Sequence, residues 1–439
     1  MKYGLGRAVF WALSYLALVL APLAVAYQGG IEPRGFWIEF SVALGFVGLA
    51  MFGWQFVLTG RFRRFGASFG LDSMLQYHRQ IAIVAVGFVL AHPVILFAAD
   101  PTYLEYLDPR VNLMRALALA GVLGALLLLM ATSLWRLSFG LSYERWRLLH
   151  GVLAFFVLLV GVAHVIQVGY YISAPWKQVT VVGMSAAAVF LLVNTRFVRP
   201  WRNRRRPWRV QEVRPEQGEA WTLSLVPDGH EGMRFRPGQF AWLTLGPTPF
   251  SMQQNPYSFS SSAEAAPEVI EFTVKPEGDF SSTVSEVEEG STAFLEGPFG
   301  YFVPESDPGQ GSVMIAGGVG ITPMVSMLRT LADRADEREC LLIYLNVALD
   351  QVIFLTELEG LKERLNLTVV HVLEEPPEDW EGETGLLDKE LLVRTLPEDR
   401  AGQEYFVCGP KPMMDIAETS LIELGVPQRQ ILTERFDMV

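Results

Sequence analysis

The segment "YHRQIAIVAVGFVLAH" (77–92) places two histidines, His78 and His92, in a run that is otherwise apolar enough for a lipid bilayer. The segment "HGVLAFFVLLVGVAH" (150–164) repeats this spacing, because it begins and ends with histidine. Fourteen helical residues rise about 21 Å and turn about 1400°, only about 40° short of whole turns. Each segment therefore predicts a helix with two imidazoles on nearly one face, at two depths within a hydrocarbon core of about 30 Å.

Six apolar segments are long enough to cross a membrane, which takes about 20 helical residues. Basic residues follow the second segment, separate the fourth from the fifth, and follow the sixth as "RPWRNRRRPWR" (199–209). By the positive-inside rule, we expect both termini in the cytoplasm. The first segment contains "AVA" (24–26), which resembles a signal-peptide cleavage site, but its length favours an uncleaved helix. The segments cover roughly 8–27, 36–58, 77–98, 112–135, 146–170 and 177–197.

The third and fifth segments both start on the cytoplasmic side and therefore run parallel. His78 is then level with His150, and His92 with His164, which makes two facing imidazole pairs about 21 Å apart. A haem iron accepts one imidazole on each side, so the pairs predict two haem sites. Plain core histidines or a metal cluster are the alternatives, but four matched imidazoles in lipid and the distance between levels count against them. Phe156 would lie between the two haems, or simply pack in the core.

The 439-residue chain consists of two halves of opposite charge. Residues 1–206 hold 19 basic and 7 acidic side chains, a net charge of +12, and the rest of the chain has a net charge of −24. This contrast indicates a membrane domain followed by a soluble one, and the acidic half argues against nucleic acid as a partner because phosphates would be repelled. The two cysteines, Cys340 and Cys408, are too few for a disulfide framework or a cysteine-ligated cluster.

The pattern of apolar and polar residues changes at Trp208. Short alternating strands separated by glycine, proline and acidic turns predict a small antiparallel barrel up to about residue 305. Beyond it, apolar runs alternate with helical patterns, which predicts a parallel sheet with crossover helices. The predicted fold is therefore a multidomain membrane protein: a six-helix transmembrane bundle, an antiparallel β-barrel domain and an α/β parallel-sheet domain. The predicted domains are 1–206, 207–305 and 306–439.

Three short motifs in the barrel region suit a flavin nucleotide. In the second of them, Tyr257 would stack on the flavin ring, while Ser258 and Ser260 would reach its polar atoms or phosphate. The third offers backbone N–H groups at the start of a helix, which suit a pyrophosphate. The motifs are "FRPGQF" (235–240), "NPYSFSSS" (255–262) and "GDFSST" (278–283).

Two further motifs lie at strand ends in the last part of the chain. "IAGGVGITPMVSML" (315–328) follows a strand and opens a helix, and its glycines let the backbone approach phosphates. Thr322 can cap this helix and Pro323 suits its first turn, although the motif is not G-x-G-x-x-G. "FVCGPKPMM" (406–414) ends a later strand, where the ligand crevice of a doubly wound sheet is found.

The four histidines, "RPGQF", "NPYSFSSS", "GGVGITP", "VCGPKPMMD" and the terminal "ERFDMV" together resemble the ferric reductase and NADPH oxidase superfamily over nearly the whole chain. The resemblance implies a six-helix bis-haem domain joined to a ferredoxin-NADP-reductase-like dehydrogenase, with FAD, two haem b and NAD(P)H as cofactors. It also implies that Cys408 lies beside the hydride path and that Phe436 lies against the flavin. The implied iron ligands are His78, His92, His150 and His164. The candidate cofactor-binding residues are Arg236, Pro237, Gln239, Asn255, Pro256, Tyr257, Ser258, Ser260, Lys275, Gly278, Ser281, Ser282, Gly318, Gly320, Thr322, Pro323, Gly409 and Pro410.

Two positions depart from the pattern of the superfamily. Asn255 stands where its members usually have histidine or arginine, which affects a phosphate contact. "YLNVALDQ" (344–351) lacks the arginine that commonly binds a 2′-phosphate. The second departure argues against a strict preference for NADPH over NADH.

The expected activity is electron transfer from cytoplasmic NAD(P)H through FAD and two haems to an acceptor outside a bacterial cell (inner) membrane. Oxygen is the favoured acceptor, which makes the product superoxide, because the residues after His92, "PVILFAA", are apolar. Ferric-chelate reduction is the alternative. Two other readings are a membrane-anchored flavin reductase and a non-catalytic haem carrier or sensor. The expected partners are a small-molecule donor and acceptor and the lipid bilayer, with no nucleic acid and no obligatory protein partner.

Overall fold

The computed structural model describes residues 5–60, 71–304 and 311–435. The chain separates into two compact units. The helices that end at Phe197 make up one unit, and the chain from Val198 onward makes up the bulk of the other.

The first unit is a bundle of hydrophobic helices. Among the described residues, six helices are long and apolar enough to cross a membrane. Their number and order confirm the predicted bundle. Their bounds are α1 Leu5–Tyr27, α2 Phe36–Leu58, α3 Leu71–Ala99, α4 Leu113–Leu134, α5 Tyr143–Val168 and α6 Pro175–Val193.

Local chemistry explains where these helices begin and end. Asn112 and Ser142 precede α4 and α5, and each side chain accepts a hydrogen bond from a backbone N–H of the first turn. Gly169 ends α5 in the left-handed conformation, with φ of 66°, which glycine adopts without a Cβ penalty. Pro175 starts α6, where its missing N–H costs nothing. Turn and cap residues therefore set the lengths of the helices.

The bundle is held together by apolar packing and by one buried lysine. Leu126, Val157 and Leu158 are each at most 2% exposed and lie in a core shared by several helices. Lys177 is 6% exposed, and its Nζ donates to the carbonyls of Ala26 at 2.8 Å, Gln28 at 2.6 Å and Tyr171 at 3.0 Å. One ammonium thus satisfies carbonyls at the end of α1 and in the loop before α6.

The second unit begins with the short helix α7 (Arg199–Asn203) and an antiparallel sheet of order β4-β3-β6-β1-β2-β5. Beyond β4, Phe259 pairs with Phe272 of β5, which brings the two edge strands of the sheet together. The sheet therefore closes into the predicted barrel, around a core that includes Leu223, Leu225 and Leu243. The strands are β1 Trp208–Pro215, β2 Trp221–Pro227, β3 Phe240–Leu245, β4 Asn255–Ser258, β5 Ile270–Val274 and β6 Thr292–Phe299.

The C-terminal part is a parallel sheet of order β10-β9-β8-β7-β11-β12, as predicted. The chain leaves β7 towards β8 on one side and later returns to place β11 on the other side. The order of strands therefore reverses between β7 and β11, which is where open α/β sheets bind their ligands. The elements are β7 Gly311–Gly317, α8 Thr322–Asp333, β8 Cys340–Asn346, α9 Leu355–Lys362, β9 Leu367–Leu373, β10 Glu383–Thr384, α10 Lys389–Thr395, β11 Gln403–Cys408, α11 Lys411–Glu423 and β12 Ile431–Thr433.

Candidate functional site

His78 of α3 and His150 of α5 face each other within the bundle. Their ring centroids are 6.1 Å apart. An iron bound between two imidazole nitrogens requires about 4 Å between those nitrogens, and each nitrogen lies roughly 1 Å from the centre of its ring. The two ring centres should therefore be about 6 Å apart. The pair therefore fits a six-coordinate haem iron. The Nδ1 atom of His78 is buried and has no hydrogen-bond partner in the described residues. This suits an imidazole that is held in place by a bound metal rather than by a hydrogen bond.

His92 and His164 line one cavity at the other level of the same two helices. The walls of this cavity come mainly from α2 to α5, and most of its lining side chains are apolar. Gly45 of α2 makes room for a histidine ring, since a Cβ there would lie 3.2 Å from Cγ of His92. A largely apolar cavity with an imidazole from each of two helices fits a second haem.

Two serines contact histidine rings, and sequence reasoning missed both. Ser41 of α2 places its carbonyl oxygen 2.9 Å and its Oγ 3.0 Å from Nδ1 of His92. Ser133 of α4 places its Oγ 3.2 Å from Nδ1 of His150. The available signal was a hydroxyl residue in an otherwise apolar helix, which is a weak signal because such hydroxyls commonly bond their own helix backbone.

A polar cluster lies at the His92–His164 end of the bundle. Arg34 lines the cavity, donates to the hydroxyls of Tyr103 at 3.0 Å and Tyr171 at 2.8 Å, and lies 4.2 Å from the ring centre of Tyr170. Burial raises the pKa of Tyr171 to about 12, so its hydroxyl stays protonated at neutral pH.

Phe156, predicted between the two levels, is 37% exposed, and its Cζ would lie 3.4 Å from a Cβ on Gly121 of α4.

The flavin motif lies on β4, paired with β3 of the barrel. Tyr257 is partly buried, and its ring stacks against Phe280 with centroids 6.1 Å apart. Burial raises the pKa of the Tyr257 hydroxyl, which therefore remains a hydrogen-bond donor. The Oγ of Ser258 is buried and has no hydrogen-bond partner in the described residues. A buried hydroxyl without a partner is costly unless a ligand satisfies it, so Ser258 fits the predicted flavin contact.

Ser260 and Ser281 make hydrogen bonds that the motif alone did not predict. Ser260 is fully buried, and its Oγ accepts from Thr273 at 2.9 Å inside the barrel. The Oγ of Ser281 accepts from the amides of Glu277 and Gly278, both at 2.9 Å. The amide of Gly278, which belongs to the predicted pyrophosphate site, and the preceding amide of Glu277 are therefore already satisfied by this serine. The short 3₁₀ helix that follows covers Ser281–Glu286.

Other flavin candidates lie in a turn. Arg236 donates its amide to Oε1 of Gln239 at 2.8 Å, and Nε2 of Gln239 donates to the carbonyl of Gly300 at 3.1 Å. Gly238 has a φ of 84°, and a Cβ there would lie 2.0 Å from the carbonyl oxygen of Phe302. "RPGQF" is thus a turn that packs against the segment after β6. Its predicted contacts, and those of Pro237, Asn255, Pro256, Lys275 and Ser282, remain predictions.

The two strand-end motifs of the nucleotide domain meet at the reversal of strand order. Ala316 of β7 pairs with Cys408 of β11. A Cβ on Gly320 would lie 2.3 Å from the carbonyl oxygen of Cys408, and one on Gly409 would lie 2.9 Å from the amide nitrogen of Gly317. The loops 317–320 and 408–410 therefore approach backbone to backbone, and only glycine permits this distance.

Four more predicted residues belong to this region: Thr322 differs from expectation, Pro323 agrees with it, and the roles of Cys408 and Phe436 remain predictions. Thr322 does not cap α8, because its Oγ1 donates to the carbonyl of Val319 at 3.1 Å and the cap position is Ile321. Pro323 occupies the first turn, as expected. Cys408 is 2% exposed, and its side chain belongs to the hydrophobic core. Phe436 lies outside the described residues. The predicted contacts of Gly318, Gly320 and Pro410 with a dinucleotide remain predictions.

Helix α8 connects the nucleotide loop to the serines at the end of the flavin motif. Arg329 donates to the carbonyl of Ser260 at 2.7 Å, to Glu271 at 2.9 Å, and to Glu357 through two nitrogens. Burial lowers the pKa of Arg329, but the bond to Glu357 and the nearby carboxylates outweigh it, so the pKa lies above its usual value. Ser326, one turn earlier, donates to the carbonyl of Ser261 at 2.7 Å. The helix that begins at the nucleotide loop is therefore fixed to the barrel.

Replacing Arg329 with methionine should lower the stability of this unit by about 2–3 kcal/mol. The loss is smaller than the 3–5 kcal/mol of a fully buried pair because Glu357 is 35% exposed. Thermal unfolding of the purified protein measures the effect. Arg334→Met is the matched control, since Arg334 and Glu264 are both about half exposed and such pairs contribute about 0–1 kcal/mol. Equal losses for the two variants would contradict the role of Arg329.

Two sequence families match the two halves of the chain. "Ferric reductase like transmembrane component" matches residues 44–161, and "Oxidoreductase NAD-binding domain" matches residues 314–419. The first match includes His78, His92 and His150 and ends three residues before His164, and the second includes both strand-end loops. The matched domains are the two that the resemblance to the ferric reductase and NADPH oxidase superfamily implies. The predicted order, a ferric-reductase-like membrane domain followed by an NAD-binding oxidoreductase domain, is confirmed, and the six apolar helices of the described residues indicate a multi-pass membrane protein.

Curated relatives resemble only part of the chain. NADH-cytochrome b5 reductase 1 of Cryptococcus neoformans var. neoformans serotype D is 30% identical over 172 residues, which cover 37% of this chain and 58% of that protein. The Arabidopsis thaliana protein of the same name is 34% identical over 155 residues, which cover 34% of this chain and 54% of that protein. The chain thus spans little more than half the length of these relatives.

One solved structure resembles most of the chain in fold. It is flavohaemoglobin from Malassezia yamatoensis, with bound FAD and haem, at a TM-score of 0.50 and 18% identity. The likeness covers 90% of this chain and 95% of that one. At this identity it concerns the fold alone.

Proposed function

We propose that this protein transfers electrons from cytoplasmic NAD(P)H, through FAD and two b-type haems, to an acceptor on the other side of the cell membrane, with oxygen as the favoured acceptor. The observation that carries the proposal is the facing pair His78–His150, with ring centroids 6.1 Å apart and a second pair one level away on the same two helices. We use "inner level" for His78 and His150 and "outer level" for His92 and His164, following the orientation predicted from the arginines.

A bound flavin would accept a hydride and release single electrons, which is the conversion that a nicotinamide donor and a haem acceptor require. The chain's own residues bind and orient the groups. The loops at 317–320 and 408–410 would hold the dinucleotide, while Tyr257 and Ser258 would hold the flavin. Helix α8, fixed by Arg329 to the segment after Ser258, would set the position of one site relative to the other. The four histidines would hold the two irons across the bundle.

Oxygen as acceptor is supported by the walls of the outer cavity. Most of its lining side chains are apolar, including Phe46, Leu49 and Val157, and a small apolar gas dissolves readily in such surroundings. The product would be superoxide, formed by transfer of one electron to O2.

Ferric-chelate reduction is the second candidate, and one observation favours it. Arg34 and the hydroxyls of Tyr103 and Tyr171 lie together at the cavity. The guanidinium of Arg34 and the hydroxyl of Tyr103 can bind a carboxylate of an iron chelate, whereas the hydroxyl of Tyr171 already donates to Glu39 at 2.8 Å. Measuring superoxide and ferrous iron in parallel, with NADH and with NADPH as donors, distinguishes the two acceptors.

A membrane-anchored flavin reductase without transmembrane transfer is the remaining alternative. The reduced-minus-oxidised absorption spectrum of the purified protein tests it, because two bis-histidine haems give a strong b-type spectrum on addition of NAD(P)H. A spectrum without haem bands would refute the proposed function. A protein with haem but without flavin would indicate a haem carrier.

Tyr257→Ala should weaken FAD binding by about 1–3 kcal/mol, since an aromatic stacking partner contributes about this much to a bound ring. Titration of the flavin-free protein with FAD measures the change. Tyr257→Phe is the matched control, because it keeps the ring and removes only the hydroxyl. A stacking role predicts near-normal affinity for the phenylalanine variant. Unchanged affinity for the alanine variant would contradict it.

A further inference from the structure

We propose that Ser133 is a positioning residue for the inner haem: it holds His150 in the tautomer that binds iron and thereby lowers the reduction potential at the inner level. The inference rests on the proposed function, and it concerns a residue outside the four histidines. Ser133 lies on α4, whereas both inner histidines lie on α3 and α5.

The hydrogen bonds of Ser133 determine which nitrogen of His150 carries the proton. The Oγ of Ser133 lies 2.7 Å from the carbonyl oxygen of Leu129 and 3.2 Å from Nδ1 of His150. A hydroxyl has one hydrogen, and a carbonyl can only accept, so Oγ donates to Leu129. Towards His150 the oxygen therefore accepts, which requires a proton on Nδ1. The lone pair of the imidazole is then on Nε2, available to a metal.

At the outer level, a different hydrogen bond selects the same tautomer of His92. Nδ1 of His92 lies 2.9 Å from the backbone carbonyl oxygen of Ser41, which can only accept a hydrogen bond. The hydroxyl of Ser41 donates to the carbonyl of His92 at 2.7 Å. Replacing the Ser41 side chain leaves the carbonyl in place. The inner level, by contrast, depends on a side chain, since in the described part of the chain Nδ1 of His78 has no partner.

This difference has a consequence for electron flow. An acceptor for Nδ1–H makes the imidazole a stronger donor to iron, which stabilises the ferric state and lowers the reduction potential. A lower potential at the inner level favours passage of each electron onward to the outer level. Removing the hydroxyl of Ser133 should therefore retain electrons at the inner level.

The test is an optical redox titration of the full-length protein in detergent. Ser133→Ala should raise the midpoint potential of the inner haem by about 59 mV, which corresponds to a tenfold change in the ratio of ferrous to ferric iron. The outer haem should keep its potential. The haem that remains in His164→Leu identifies which midpoint belongs to the inner level.

Three further variants separate positioning from general damage. Ser133→Thr should restore the potential, because a threonine hydroxyl can make the same bond to the carbonyl four residues back, as Thr132 does to Leu128 at 2.8 Å. Ser41→Ala should change the outer potential less than Ser133→Ala changes the inner one. Ser185→Ala is the matched control, since Ser185 donates to the carbonyl of Val181 on α6.

The outcomes distinguish this inference from the proposed function. An unchanged inner midpoint in Ser133→Ala, with two haems retained, overturns the role of Ser133 and leaves the proposed function intact. Loss of the inner haem in Ser133→Ala but not in Ser133→Thr supports the role. An unmodified protein without two haems overturns the proposed function itself.

Discussion

Replacing His164 with leucine should reduce the haem content from two per chain to one. Leucine has no lone pair for iron, and the remaining ligand at that level, His92, cannot make a six-coordinate bis-histidine iron alone. The inner pair is about 21 Å away along the helices, so its haem should remain. The pyridine haemochrome assay measures the ratio of haem to protein.

The same variant should lose most of its oxygen- or iron-reducing activity, because without the outer haem electrons can no longer reach the outer level. Reduction of the remaining haem by NAD(P)H should continue. Gln167→Leu is the matched control: it replaces an exposed polar residue of α5 with the same side chain and should leave two haems. Two haems in His164→Leu would show that the assignment of ligands is wrong.

Replacing Gly320 with alanine should weaken dinucleotide binding by about 10–100-fold, or about 1.4–2.8 kcal/mol. The new Cβ would lie 2.3 Å from the carbonyl oxygen of Cys408 and 2.9 Å from Cα of Gly409. These are backbone atoms, so the two loops must separate to relieve the contact. The phosphates would then meet a different surface. The Michaelis constant for NADH and the affinity for a non-reducible analogue measure the effect.

Gly360→Ala is the control for Gly320→Ala. Gly360 lies within α9 of the same domain, where a Cβ meets no atom within 4 Å, and alanine is the better helix former by about 1 kcal/mol. This variant should bind the dinucleotide normally and be at least as stable. FAD content should be unchanged in both variants. Unaltered dinucleotide binding in Gly320→Ala would mean that the crevice between the two loops is not the binding site.

The sequence by itself was sufficient for features that depend on local geometry. A spacing of fourteen residues places two histidines on one face of any α-helix, so the four candidate ligands and their pairing could be predicted without a structure. Runs of apolar residues predicted six helices, and alternating patterns predicted an antiparallel barrel followed by a parallel sheet. Each of these signals repeats within a few turns or strands of the chain.

Hydrogen bonds within motifs were predicted less well, because several partners compete for each polar group. Thr322 was expected to cap α8, yet its hydroxyl donates to Val319. The backbone amides of residues 278–283 were assigned to a pyrophosphate, yet the amide of Gly278 donates to Ser281. Hydroxyl side chains can bond nearby backbone groups in more than one way, and the local conformation selects among these.

Only the tertiary structure could reveal contacts between elements that are distant in sequence. Ser133 reaches His150, and Arg329 reaches Ser260 and Glu271, because α4 packs beside α5 and α8 packs on the barrel. The close approach of Gly320 to Cys408 likewise follows from the parallel pairing of β7 with β11. Such distances depend on the register and packing of whole elements, which many long-range contacts determine together, whereas helical periodicity depends only on neighbouring residues.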